Sequence, residues 1–458
     1  MNDVFTPKAV ILGLSDSGET IPSCAGRIST REGTATEIFN ASTDPAKNAN
    51  LIHKVTQSGH NSTIEHCVYN LAFENISVFA EQFLIEFRLA SFTVKSRRYV
   101  DFTNSGFFIP EGLSDETMGI YETGMRSRFA DYARLCALGV PKEDARFVLP
   151  YCLHSNFYCT VNAREFLNML TQMLYGRGSS FAELRAIGQS LAEQARRLTP
   201  GIMTDFETRA EKKTEKPFPA ELLAALPANS DGEPVRLLNH TPNAAATVCA
   251  AAAAVFDPCA DASALFANDA AARAKALEWL TSSPRPRALE NANYTFALKG
   301  VSLSCLTHFA RHRMQSIQIP CLTQTHKEKY VLPATVSENA EAKALYDDCF
   351  RRARVLYSEL KSRGLSECEL VYTLLSGNTI DIVTTMNARE LLLFFKLRCC
   401  TRAQWEIREY AEKMLRLCRR AEPEIFRYYG PSCFIGACPE GRMCCGMQAE
   451  IKEKYSSF

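Results

Sequence analysis

The chain has 458 residues, is 46% hydrophobic and carries a net charge of +1. That is enough apolar material for more than one core, and the balanced charge excludes a strongly basic nucleic-acid footprint while leaving local basic pockets open. There is no apolar run of the roughly 20 residues that cross a bilayer, the Ala-rich stretch 244–255 being too short, and residues 1–8 lack a signal-peptide layout. The expectation is a cytoplasmic protein with no membrane or nucleic-acid partner.

In chain order, Gly59–His66 reads as a helix start capped by Ser62 or Thr63. Residues 67–73 alternate like a strand, and 75–90 follow as a helix. Segments 161–174 and 179–198 have helical apolar spacing. A linker lies near 210–234, with the charge run 211–216, Pro217, Pro219, Pro227 and an Asn-Ser-Asp-Gly turn at 229–232. A strand at 235–240 opens the second half. A strand at 294–298, a helix at 300–313 and helices at 386–398 and 402–420 follow, with Trp405 read as packing. The reading is α+β (mixed α/β), each half a sheet flanked by long helices. Neither Gly-x-Gly-x-x-Gly nor Gly-Lys-Ser/Thr occurs, which argues against a doubly wound nucleotide fold.

The halves repeat one another. A shift of 225 residues lays Arg88 on Arg313, Ser91 on Ser316, Glu65 on Glu290, Ala72 on Ala297 and Ser77 on Ser302. Asn162-Ala-Arg-Glu165 matches Asn387-Ala-Arg-Glu390 identically, and Gly139 meets Gly364. Residues 1–215 form repeat 1, 216–234 the linker, and 235–458 repeat 2 with a Cys-rich tail. The losses are complementary. Repeat 1 has Glu86-Phe87 where repeat 2 has Arg311-His312; repeat 2 has Cys321, Thr323 and Val371 where repeat 1 has Ser96, Arg98 and Arg146.

Guanidinium groups offer forked, permanently charged donors, so Arg88, Ser96, Arg98 and Arg146 suit a phosphate cradle. Arg311, His312, Arg313, Asn387, Arg389 and Arg398 form a second anion- and amide-binding set; Arg389 and Arg398 are nine apart and do not share one helical face. With no Ser-His-Asp triad and no His-Glu-x-x-His helix, the chemistry is expected from a cofactor that the protein orients. Most of the 18 cysteines are scattered and expected reduced. Cys433, Cys438, Cys444 and Cys445 cluster without a Cys-x2-Cys knuckle. Zinc, reduced thiols and a labile disulfide stay open for them, and no metal is assigned.

At these residues the chain resembles the flavin-dependent thymidylate synthases, as a tandem duplication of their domain. That family carries Arg-His-Arg, seven residues and then Ser-x-Arg-Tyr, with His-x-Ser/Thr-x-x-Glu-His upstream. Downstream it has Ala-Arg-x-x-Leu-Pro, Asn-x-Arg and Leu-Arg with Ala-Gln-x-Glu-Ile. Repeat 1 matches at His60, Ser62, Glu65, His66, Arg88, Ser91, Ser96, Arg98, Tyr99, Gly139–Pro150, Asn162 and Arg164. It departs at Glu86-Phe87, Val94 and Gln172-Met173. Repeat 2 matches at Glu290, Arg311–Arg313, Ser316, Asn387, Arg389, Arg398 and Ala403–Arg408. It departs at Arg285, Arg287, Cys321, Thr323 and Val371. The Cys-rich end resembles tails on some anaerobe members.

The resemblance implies methylation of dUMP to dTMP with FAD, NADPH and methylenetetrahydrofolate. Ser96, Arg98 and Arg146 would hold the phosphate and sugar, with Arg311 also substrate-binding, and Arg398 would face the uracil. Arg398, Ser96 and Arg88 are the candidate catalytic residues. Ser29, His60, Ser62, Glu65, Arg311, His312, Arg313, Asn387 and Arg389 would hold FAD. Family members are homotetramers, so two chains would form a pseudo-tetramer as a homodimer, with composite sites shared between repeats. The alternatives are a related flavoenzyme acting on another pyrimidine nucleotide and a degenerate, non-catalytic nucleotide- or flavin-binding paralogue.

Overall fold

The computed structural model describes residues 7–213, 216, 218–226, 232–257 and 261–458. Residues 1–6, Thr214 and Glu215 of the charge run, Pro217, Pro227 and the Asn229–Asp231 part of the expected turn lie outside the described residues. In chain order the strands are β1 (Lys8–Leu14), β2 (Val68–Ser77), β3 (Ala90–Val94), β4 (His154–Asn162), β5 (Val235–His240), β6 (Asn293–Ser302), β7 (Gln315–Gln318), β8 (His326–Tyr330) and β9 (Asn378–Asn387). The helices that matter here are α1 (Val78–Ile85), α2 (Asp115–Ala137), α3 (Ala163–Leu174), α4 (Ala182–Leu198), α5 (Leu303–Ala310), α6 (Ala340–Ser362), α7 (Ala388–Arg398) and α8 (Trp405–Ala421). The fold is α+β, with two antiparallel sheets ordered β1-β2-β4-β3 and β5-β6-β9-β7 and with β8 added to β9.

The repeat is visible in the backbone. β2 and β6, α1 and α5, and α2 and α6 begin and end at positions related by the same 225-residue shift. Alternation along β2 buries Tyr69, Leu71 and Phe73, and along β6 their mates Tyr294, Phe296 and Leu298, all at 1% exposure or less. Each such side chain contributes about 1.5–3 kcal/mol by leaving water. The short helices after these strands start later than the expected 75 and 300. A bulge interrupts each strand where Asn75 (φ 54°) and Gly300 (φ 69°) take the left-handed conformation, so pairing resumes for two more residues. Asn156 Oδ1 and Asp381 Oδ1, again register mates, accept the N–H groups of those residues at 3.1 and 2.8 Å. Ser77 and Ser302 then cap the helices through Ala80 N–H and Cys305 N–H, both at 2.9 Å.

The compact units are drawn differently from the sequence repeats. Unit 1 is residues 1–228 with 332–378, and unit 2 is 229–331 with 379–458. Inside unit 1 the segment from repeat 2 meets its own counterpart. Tyr151 N–H donates to Leu374 C=O (2.8 Å) and Ser376 N–H to Leu149 C=O (2.9 Å); Cys152 donates to Tyr372 (3.0 Å) and Gly377 to Phe147 (2.7 Å). The 225-residue shift exchanges the members of each pair, so a local pseudo-two-fold passes between Pro150 and Leu375. Helices α2 and α6, themselves mates, pack together here, and Arg352 Nη1 donates to Ser127 Oγ at 2.5 Å from the equivalent position.

This junction is tight. A Cβ on Gly377 would lie 2.8 Å from the Phe350 ring and 3.1 Å from the Phe147 carbonyl, one residue from Arg146. Gly377→Ala is therefore expected to destabilise unit 1 by about 1–3 kcal/mol, as overpacking does, read as a lower urea midpoint.

Candidate functional site

In unit 1 the residues of the expected phosphate cradle gather beyond the end of β3. Arg98 N–H donates to Ser96 Oγ (3.2 Å), and the Arg98 Nε to Glu143 Oε1 distance is 2.7 Å. Arg146, buried, donates from Nε to the Glu143 carbonyl at 3.0 Å. Glu143 thus joins the two arginines, using one edge of each guanidinium. Between Ser96 and Arg98, the side chain of Arg97 turns inward onto buried Glu81 in a forked pair (2.5 and 3.1 Å), and Ser155 Oγ donates to the same carboxylate at 2.5 Å. That anchor fixes the segment carrying Ser96 and Arg98.

Arg88 does not join this group within unit 1. It precedes β3 while Ser96 follows it, and five strand residues at about 3.3 Å each separate the two by more than a side chain can span.

The repeat 1 residues that replace Arg-His have their own partners. Glu86 accepts from Arg177 Nη1 (2.6 Å) and Gln82 Nε2 (3.2 Å). Arg177 lies over the rings of Phe83 and Phe87 at 4.7 and 5.9 Å. Glu65 pairs with Arg164 at 2.7 Å, both exposed. His60 and Ser62 are exposed around the 3-10 turn Asn61–His66. Neither Ser62 nor Thr63 caps a helix there; the Thr63 hydroxyl donates to the His60 carbonyl at 2.9 Å. Ser29 is exposed in the turn after the helix Thr20–Arg27.

In unit 2 the counterpart is a buried relay. Asn387 caps α7 by accepting from Glu390 N–H at 2.8 Å. Glu390, held in that first turn, binds His312 Nδ1 at 2.8 Å, and Arg398 Nε at the far end of α7 donates to His312 Nε2 at 2.9 Å. Because Nε2 accepts, the proton sits on Nδ1 and faces the carboxylate, so the imidazole is neutral. Burial holds its pKa below the usual value, and the Arg398 cation adds to this against the pull of Glu390. Gln315 braces the turn, donating to the carbonyls of Phe309 (2.5 Å) and His312 (2.9 Å) while accepting from Thr384 (2.7 Å). Arg311 and Arg313 flank His312 on the exposed side. Arg389 pairs with Glu290, as Arg164 does with Glu65. Arg389 and Arg398 occupy opposite ends of α7.

Several residues were not singled out from sequence. Glu390 stood inside the repeated Asn-Ala-Arg-Glu, yet nothing local joins it to His312. Glu81 and Gln315 gave no signal, and Glu143 stood inside the Gly139–Pro150 match without a role assigned to it. Glu183 and Glu406 anchor the long helices α4 and α8: each carboxylate accepts both the N–H and Oγ of Ser77 (2.7 and 2.6 Å) or Ser302 (2.8 and 2.5 Å). Burial pushes the Glu183 carboxyl up to about 7 despite these bonds.

His154, buried in unit 1, is pulled down to about 4 by burial. An unfolded histidine titrates near 6.5. Between those values the unfolded chain binds a proton that the folded one refuses, so this term lowers stability as pH falls. His154→Gln should reduce the slope of unfolding free energy against pH across that window by up to one proton, as measured by urea denaturation at several pH values. Glu183 contributes the opposite slope, from about 4.3 up to 7, and is present in both proteins.

Comparison with known proteins gives the class. The model of the family described as thymidylate synthase complementing protein matches residues 12–201 and again 236–424. The chain belongs to that family and contains its domain twice. Among curated relatives, the flavin-dependent thymidylate synthase of Clostridium tetani is 32% identical over 97% of its own length and 49% of this chain. That of Geobacter sulfurreducens is 34% identical over 97% of its length and 48% of this chain. The chain is thus a tandem member of the flavin-dependent thymidylate synthase family. A solved structure titled as a UMP/dUMP methylase PolB from Streptomyces cacaoi covers 44% of the chain at 22% identity and a TM-score of 0.37, too low to carry an argument. No described helix is long and apolar enough to cross a membrane.

Proposed function

We propose that this protein methylates dUMP to dTMP, with FAD, methylenetetrahydrofolate as carbon donor and NADPH as reductant. The observation that carries this reading is the complementarity of the repeats: Ser96, Arg98 and Arg146 survive only in repeat 1, and Arg311, His312 and Arg398 only in repeat 2. A composite site drawing on both repeats needs each residue once. The donor chemistry suits the groups involved. Arg98 and Arg146 present guanidinium to a phosphate, and Ser96 can accept from or donate to a sugar hydroxyl. Arg398, kept charged beside a neutral imidazole, favours negative charge developing on a pyrimidine ring.

The exposed guanidiniums of Arg311 and Arg313, with the amide of Asn387, are hydrogen-bond donors of the kind a flavin dinucleotide's diphosphate requires. Ser29, His60, Ser62, Glu65 and Arg389 complete the proposed cofactor contacts. Bound flavin would supply the electron transfer that no side chain here can perform. Unit 1 already contains a pseudo-two-fold contact between equivalent segments of the two repeats, which supports two chains doing the work of four single-domain subunits. Arg88 has no assigned role in the cradle of its own unit.

The test is the visible spectrum of the FAD-reconstituted protein titrated with dUMP. A saturable shift of the flavin bands, followed by turnover with methylenetetrahydrofolate and NADPH, supports the proposal. Bound flavin indifferent to dUMP points to another pyrimidine nucleotide. Failure to bind flavin sinks the proposal in favour of a non-catalytic paralogue.

A further inference from the structure

In unit 2, Cys400 and the tail residues Cys433, Cys438, Cys444 and Cys445 line one small cavity, yet among the described residues no three His, Cys, Asp or Glu side chains are arranged to hold a metal ion. Glu143, beside the cradle of unit 1, is better placed to act. Its carboxylate lies 2.7 Å from Arg98 Nε, and its backbone carbonyl accepts from Arg146 Nε at 3.0 Å. The Oε1 involved is shielded from solvent. The Arg98 guanidinium also lies over the Tyr99 ring at 5.4 Å, so carboxylate and ring together fix where it sits and how its plane faces. The segment that carries Glu143 is itself tied down at both neighbours. Lys142 Nζ reaches Asp101 Oδ2 at 3.7 Å, and the Asp144 carboxylate accepts from Thr335 Oγ1 at 2.7 Å.

Repeat 2 builds the same turn without this carboxylate. The 225-residue shift lays the helix Lys142–Ala145 and the 3-10 turn Arg146–Val148 on Glu367–Leu370 and Val371–Thr373, so this backbone forms equally well with Cys368 at the Glu143 position and Val371 at the Arg146 position. Glu143 is present in the repeat that keeps Ser96, Arg98, Tyr99 and Arg146, and absent from the one that has Cys321, Thr323, Gln324 and Val371. We propose that Glu143 is a positioning residue for the phosphate of the substrate, acting through Arg98. This role rests on the dUMP reading above. Charge alone argues the other way, because a carboxylate beside the site subtracts from the attraction for a dianion. What Glu143 supplies instead is preorganisation. Arg98 is a long side chain with many rotamers, and holding one of them before the substrate arrives removes that ordering cost from binding.

Full-length wild type, Glu143→Ala and Glu143→Gln are reconstituted with FAD and titrated with dUMP through the flavin bands, and FAD affinity and a thermal melt are recorded for each. Glu143→Ala is expected to bind dUMP about 10-fold more weakly. Its FAD affinity and melting temperature should stay close to wild type, because Cys368 shows that the turn accepts a small residue here. Glu143→Gln is expected within about threefold of wild type, since its amide oxygen still accepts from Arg98 Nε. Both variants remove the same charge, so an effect of charge alone would tighten dUMP binding in both. Tighter or unchanged dUMP binding in Glu143→Ala, no recovery in Glu143→Gln, or a parallel loss of FAD and dUMP binding would each overturn the positioning role. Wild-type protein that binds FAD but not dUMP would remove the dUMP reading itself, and the role of Glu143 with it.

Discussion

Arg98→Ala and Arg398→Ala, made separately, are each expected to weaken dUMP binding by about 10- to 100-fold, the value of one charge-assisted hydrogen bond of roughly 1.5–3 kcal/mol. The two residues belong to different repeats, and neither has a counterpart in the other. Thr323 stands where Arg98 would be in repeat 2, and Gln172-Met173 replaces Leu-Arg in repeat 1. A site built within one repeat would feel only one of the changes. The ground-state effects also differ. The Arg98 side chain is 20% exposed and its loss leaves the shielded Glu143 Oε1 without the guanidinium. Arg398 supplies the donor to buried His312 Nε2, so its removal also leaves that nitrogen unsatisfied, and a thermal melt must accompany the titration. Retention of dUMP affinity in both variants, measured by the same flavin titration, would sink the composite site.

Glu81→Ala is expected to cost about 3–5 kcal/mol, the penalty for stranding one partner of a buried ion pair. Arg97 would lose both forked contacts and Ser155 its acceptor, at a buried site. Repeat 2 supplies the control. Its register mates are Leu306, Leu322 and Ile380, all buried, so the same architecture is closed there by hydrocarbon. The triple change Glu81→Leu, Arg97→Leu, Ser155→Ile should therefore recover most of the loss, since a packed apolar replacement of a buried pair is commonly neutral or better. Urea denaturation of both proteins measures this. A triple variant as unstable as Glu81→Ala would mean that the repeats differ in backbone around this site. The pair is retained beside Ser96 and Arg98 and absent beside Cys321 and Thr323. This fits a positioning role: the triple variant should fold yet bind dUMP more weakly than wild type.

The losses in the Arg-His positions follow the same logic. Phe87 in place of His312 leaves Glu165 without an imidazole, and that carboxylate turns to Leu89 N–H (3.5 Å) and Asn168 Nδ2 (3.3 Å). Glu86 in place of Arg311 reverses a charge and gains Arg177.

What the sequence by itself determined is the local and the periodic. The 225-residue register, the alternation of β2 and β6 and the placement of the long helices depend on neighbours in the chain, and a duplicated pattern shows in one strand of text. The Arg-rich sets were legible because permanent charge at matched positions is unusual whatever the fold. The helix starts after β2 and β6 were misplaced by three residues, because a bulge at Asn75 and Gly300 is set by cross-strand partners. Long-range packing alone decided the rest. It sends Leu332–Asn378 into unit 1 to meet its own mate, seats Glu390 against His312 and Arg398, turns Arg97 inward while Arg98 stays at the cradle, and brings Cys400 to the tail cysteines. In each case the partner lies tens to hundreds of residues away, and desolvation of the buried group, which no local pattern encodes, selects it.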